Sequence, residues 1–265
     1  MRDGMKLLVV AGMVALSTGC LQMDVTLRLG ATGDGSFSSS VVIGETLTRV
    51  MDSMGSVSPE MGRLMSEGMP RKLKGKDLRA LEAEGFRDVK VEVSRSKKET
   101  GWRLSGGFSD FTDLPAFGER VGGAVPSARV YALEDGTYVL AWTPGKQGEE
   151  KPKADTPEMN EKAMKEMMDS IGDFGKIMAD MATFRMAMTA EVPGEVISVE
   201  PNWGTVDGRS VTWVISASEL MSQAANPGAG KPDLPDAFQV RFRATAPFPE
   251  GLISAGPVPG SVETI

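Results

Sequence analysis

Over most of this chain apolar and polar residues alternate with a period of two, and few folds can satisfy that pattern. Leu21, Met23, Val25, Leu27 and Leu29 alternate with Gln22, Asp24, Thr26 and Arg28. Residues 30–35 (GATGDG) are turn-formers, and Phe37, Val41 and Ile43 continue beyond them, so the pair predicts a hairpin. Val89, Val91 and Val93 repeat the period. Tyr131 and Leu133, then Asp135-Gly136, then Tyr138, Leu140 and Trp142 carry a strong hairpin signal. Met186, Met188 and Val192, then Val211, Trp213 and Ile215, then Phe238, Val240 and Phe242 predict further strands. Alternation of this kind buries one sheet face and wets the other, as expected of an antiparallel sheet, because parallel sheets are covered on both faces.

Helical spacing is less common. Residues 45–54 and 59–69 place apolar side chains three and four apart, and residues 75–84 predict a short charged helix that stops at Gly85. The longest helix is expected over residues 157–183, with Thr156 as N-cap and Pro157 at the first position. Met164, Met167, Met168, Ile171, Phe174, Ile177, Met178 and Met181 form its stripe, and Gly172 and Gly175 weaken its middle by about 1 kcal/mol each. The expected fold class is α+β, a mostly antiparallel sheet with helices, including this Met-rich one, packed on one face. Residues 144–155 (PGKQGEEKPKAD) predict a charged linker within one domain spanning 20–245. Residues 246–265, with Pro and Gly every few positions, predict an irregular tail.

The amino terminus indicates a destination. Arg2 and Lys6 precede a ten-residue apolar run at 7–16 (LLVVAGMVAL), about half the length needed to cross a ~30 Å hydrocarbon core. That length suits a signal peptide of residues 1–19. Ser17, Thr18, Gly19 and Cys20 follow, and Cys20 is the only cysteine in the chain. The run resembles the lipobox of bacterial lipoproteins, in which small residues precede a cysteine whose thiol takes a diacylglycerol before cleavage. The lipobox prefers an aliphatic residue three before the cysteine; here Ser17 holds that place and Leu16 stands one earlier. Ser17-Thr18-Gly19 is also a small-x-small site for ordinary signal peptidase, which would leave a secreted chain with a free thiol. Two acyl chains attach a protein stably, since burial contributes ~0.8 kcal/mol per CH₂. The expectation is an extracytoplasmic protein attached to the membrane through Cys20.

Composition closes other routes. With no histidine and one cysteine, the chain lacks an imidazole base or triad partner, an internal disulfide and a multi-Cys zinc site. Its 29 basic residues against 36 acidic ones oppose nucleic-acid binding, which needs a basic surface. Carboxylates are plentiful, so a carboxylate-dependent hydrolase is compositionally open. They sit, however, in mixed-charge runs typical of solvated faces, and the expected protein is not an enzyme. Residues 101–108 (GWRLSGGF) lack phosphate-loop spacing. The eighteen methionines have three readings: flexible core filler, an adaptable apolar surface for an acyl chain or partner, and Cu(I) coordination by thioethers. Core filling accounts for most of them, and no cofactor or metal site is assigned.

A second resemblance rests on longer stretches. Cys20-Leu-Gln-Met-Asp-Val-Thr-Leu with Gly33-Asp-Gly-Ser, then Gly85-Phe-Arg-Asp-Val-Lys-Val-Glu, are similar to the opening and middle of the bacterial LppM-type lipoprotein domain. So is the stretch 184–194 (FRMAMTAEVPG) followed by Gly204-Thr-Val-Asp-Gly-Arg-Ser-Val-Thr-Trp213. The similarity covers roughly residues 20–216. The 144–155 stretch and Met-rich segment are longer than usual in that family, and the C-terminal membrane helix of some members has no counterpart here. The resemblance implies an envelope lipoprotein with lipid or glycolipid binding as a proposed role, and it names no catalytic residues. Together these readings predict a lipid-anchored, non-enzymatic protein that binds an amphiphile or an envelope protein partner, the alternative being an assembly scaffold without a ligand. Pro193 and Trp213 are read as structural, one ending a strand and the other filling the core with its N–H on a carbonyl.

Overall fold

The computed structural model describes residues 21–45, 48, 70, 73–96, 99–122, 125, 127–143, 182–218, 237–256 and 258–259. The helices expected over 45–54 and 59–69 fall outside them, except for Glu45 and Thr48. So do the linker at 144–155 and the Met-rich helix at 157–183, apart from residues 182 and 183, which form a turn.

Seven strands make the larger sheet: β1 (Leu21–Leu29), β2 (Gly35–Gly44), β3 (Phe86–Arg95), β4 (Glu99–Phe108), β7 (Arg185–Glu191), β9 (Thr205–Asp207) and β10 (Ser210–Ser216). Their order is β3-β4-β2-β1-β7-β10-β9. Four more, β5 (Ser127–Ala132), β6 (Tyr138–Thr143), β8 (Gly194–Glu200) and β11 (Phe238–Ala244), form a second sheet in the order β5-β6-β11-β8. Pairing is antiparallel throughout except β1 with β7, which run parallel. Both expected hairpins form. In the β5–β6 turn Gly136 has φ +77°, the left-handed geometry that a two-strand connection of this type requires.

The register explains the alternation. Trp213, Met188, Val25, Ser39, Leu104 and Val91 lie on one rung of the large sheet and face inward. The small sheet answers with the rungs Ala128–Trp142–Phe238 and Val130–Leu140–Val240. Residues of both inner faces belong to one buried cluster, and the Trp213 and Phe238 rings meet across it at 5.2 Å. The outer face of the large sheet stays wet, with Asp24–Arg185 at 2.9 Å and Arg28–Glu191 at 3.2 Å tying β1 to β7.

The architecture therefore corrects one expectation. Among the described residues the layer covering the large sheet is mainly a second sheet, not helices packed on one face. Only two α-helices of more than two residues are defined among the described residues, α1 (Gly75–Ala83) and α2 (Leu114–Val121). A period of two reports that a face is buried and is silent on what buries it, so strands of two sheets read as strands of one. α2 fills in beneath β2 and β3, where Phe117 meets Phe37 at 5.0 Å and Phe86 at 4.5 Å.

The sheet edges are blunted. β3 carries Arg87, Lys90, Glu92 and Arg95 and breaks register at Asp88, whose φ is +52°. β8 has a register break opposite Arg241 and Phe242, β9 is three residues long, and β5 is flanked by Ile253. The last segment is thus partly docked: Phe248 is buried against Tyr138 and Phe242, and the Ser254 N–H donates to the Val130 carbonyl.

Candidate functional site

Cys20 lies outside the described residues, but its neighbour Leu21 is the first residue of β1, so no spacer separates the cysteine from the folded body. Register carries Leu21 across the sheet, opposite Ile43, then Thr100, then Arg95. Arg185 and Ser216, paired with each other, sit at the same end, because Arg185 is opposite Gln22.

A second feature is a set of exposed apolar residues on and between the edge strands β8 and β9. Ile197 on β8, Trp203 in the turn after it and Val206 on β9 are 41%, 45% and 47% exposed. Phe238 gathers three of the four tryptophans, with ring centroids at 5.2 Å for Trp213, 6.2 Å for Trp203 and 6.5 Å for Trp142. Trp213 is fully buried and its Nε1–H donates to the Pro201 carbonyl at 3.0 Å. Trp203 alone of the three reaches solvent. Alternation alone does not decide the exposure of Trp203, and it passes over Ile197 and Val206. Ile197 falls at the register break, where inward Val196 and Val199 are three apart and the period of two disappears.

Pro193 does close β7, and its carbonyl accepts from the Thr245 N–H. Gly194 is needed for closeness more than for turning, since a Cβ there would sit 1.9 Å from the Arg243 carbonyl oxygen.

Among the described residues two carboxyl groups are displaced from their ordinary values. At the end of the large sheet away from Leu21, Glu84, Asp110 and Asp113 lie near one another. Desolvation, with repulsion from Asp110 and Glu84, raises the Asp113 carboxyl above its ordinary value. Asp135 is lowered instead, by the Thr137 hydroxyl and N–H donating to it at 2.6 and 3.1 Å and then by Arg241. Among the described residues no group of three or more His, Cys, Asp or Glu side chains could hold a metal ion. Nor is any described helix long and apolar enough to cross a membrane. Among the described residues three buried polar atoms have no partner: Ser39 Oγ and Thr100 Oγ1 on the large sheet, and Trp142 Nε1.

No family model matches the chain, and no curated protein matches it in sequence. In structure it is similar to the folded domain of the Mycobacterium tuberculosis LppM protein, solved by NMR. The alignment covers 86% of this chain and 92% of that one at 14% identity, with a TM-score of 0.39.

Proposed function

We propose that this chain is a lipid-anchored, non-enzymatic protein of the cell envelope. Diacylglycerol on Cys20 holds it outside the cytoplasm, and its exposed apolar edge receives an amphiphile or an envelope protein at the membrane surface. The observation that carries the reading is the join between Cys20 and β1. The chain's only cysteine follows a signal-length apolar run and stands directly before the first strand residue. Two acyl chains there suffice for stable attachment. The exposure of Trp203, with Ile197 and Val206 exposed on the neighbouring strands, supports the binding part of the proposal, since an indole with an apolar body and a polar N–H suits a surface that is half wet and half apolar.

The experiment is fractionation with intact mass. The parent should partition with membranes as a chain beginning at Cys20 and carrying the mass of acyl groups, and Cys20→Ala should leave the membrane fraction. A mature chain starting at unmodified Cys20, or a Cys20→Ala variant that stays with membranes, refutes the anchor. Binding is tested separately with a fluorescent fatty-acyl probe, whose signal should fall on Trp203→Ser. A parent that takes up neither the probe nor a lipid extract refutes amphiphile binding and leaves the scaffold reading.

A further inference from the structure

Two neighbouring strands bring methionines together on the inner face of the large sheet. Met23 on β1 and Met186 on β7 stand directly opposite each other in the parallel register, and Met188 lies two residues further along β7, opposite Val25. Val25 and Met188 are buried in the core, and side chains two apart share a face, so all three methionines point inward. They are the only methionines among the described residues. One strand spacing, about 4.8 Å, separates Met23 from Met186, and two residue steps, about 6.6 Å, separate Met186 from Met188. The widest span, Met23 to Met188, is about 8 Å, which flexible side chains with three rotatable bonds can close around a shared atom.

The surroundings are uncharged. Across β10, β7, β1 and β2 these two rungs read Ile215, Met186, Met23, Val41 and Trp213, Met188, Val25, Ser39, with no ionisable side chain. Strands favour β-branched and aromatic residues, which fill the other apolar places here, so packing alone does not ask for methionine at three adjacent positions. Met188 is sealed in the core, whereas Met23 and Met186 are half-buried, so that pair forms the side of the group nearer solvent.

We propose that Met23, Met186 and Met188 form a three-thioether site for Cu(I). Thioether sulfur is a soft donor that selects Cu(I) over hard cations. Charge points the same way. A divalent ion in a partly buried site without a carboxylate stays uncompensated, and a monovalent one costs far less to desolvate. Cu(I) enters and leaves as Cu(I), with no electron or proton transferred at the site. Acylation at Cys20 is not required for it.

The test titrates Cu(I), kept reduced under anaerobic conditions, into the full chain against a chromophoric Cu(I) chelator. Every arm carries Cys20→Ala, so that no thiol competes. The chain should draw Cu(I) from the chelator, and Met23→Leu with Met186→Leu, which keeps volume and apolarity, should weaken its tightest equivalent at least about tenfold. Cu(I) should raise the Tm of the chain and not that of the double variant, since it binds the folded form, and Zn(II) should raise neither. Ag(I), a soft ion of the same charge, reads the position without a substitution. One equivalent should cut peroxide oxidation of Met23 and Met186 to the sulfoxide at least about threefold by peptide mass. A chain that takes no Cu(I) from the chelator, a double variant that binds as tightly, an equal rise in Tm with Zn(II), or sulfoxide yields at 23 and 186 unmoved by Ag(I) each overturns the site.

Discussion

Replacing Trp213 by Phe isolates what the aromatic cluster contributes to stability. The indole is fully buried, its ring meets Phe238 at 5.2 Å, and the Gly204 backbone lies so close that a Cβ there would be 2.6 Å from its Nε1. Phe removes roughly 50 Å² of apolar contact, which at about 25 cal/mol per Å² is about 1.2 kcal/mol. The lost bond to the Pro201 carbonyl adds about 1 kcal/mol, limited because Pro201 is half-exposed and water can replace the donor. The space left beside Gly204 and Phe238 adds about 1 kcal/mol more, because a sheet-bound rung closes poorly. The expected loss is about 3 kcal/mol. It should be read as a shift in urea midpoint at unchanged slope and as a fall in Tm of about 6–12 °C for a body of this size. Trp203→Phe, at a position 45% exposed, is the control and should cost under about 0.5 kcal/mol. A Trp213→Phe loss below about 1 kcal/mol, or one no larger than that of Trp203→Phe, would refute the view that the cluster is built on Trp213 and merely exposes Trp203.

The remaining predictions concern backbone clearance and charge. Gly194→Ala drives a Cβ into the Arg243 carbonyl, so β8 and β11 must separate; a loss of about 1–3 kcal/mol or more is expected by urea titration, and a neutral result would mean the strands are not in this register. The Asp113 carboxyl is raised, so its ionised form opposes folding above that raised value and ceases to do so below the unfolded one. Asp113→Asn should therefore stabilise at neutral pH and lose its advantage as the solution is acidified through the carboxylate range. The Asp135 carboxyl is lowered, so its contribution is present above the unfolded value and disappears as pH falls through the folded one. Asp135→Asn should destabilise at neutral pH and converge with the parent in acid. Thermal melts of both variants at several pH values decide the signs, and a reversed pair would show that the Thr137 and Arg241 contacts do not govern Asp135.

Most strands were legible because one buried face writes itself into a chain as alternation: β1, β2, β3, β5, β6, β7, β10 and β11 all contain runs of that kind. α1 was legible from its spacing and from Gly85 at its stop. The omissions have physical causes. β4 was hidden by Gly106 and Gly107, positions without a side chain to register in or out, and β8 by the register break at Ile197 that shifts the phase of its valines. α2 packs Leu114, Phe117 and Val121 into two turns that also hold Pro115 and Gly118, too short a run for a period of 3.6 to declare itself.

What the sequence alone determined is local or categorical: strand periodicity, two hairpins, the exclusion of histidine and multi-cysteine chemistry, and the position of Cys20 directly before a strand. Those follow from residue identity and near neighbours. The tertiary structure alone decided that the strands divide between two sheets and that β1 pairs in parallel with β7, 161 positions apart from Asp24 to Arg185. It also decided that Trp203 is the exposed member of an otherwise buried aromatic group. Each of these depends on which distant segment covers or pairs with a face, and a period of two states only that the face must be covered.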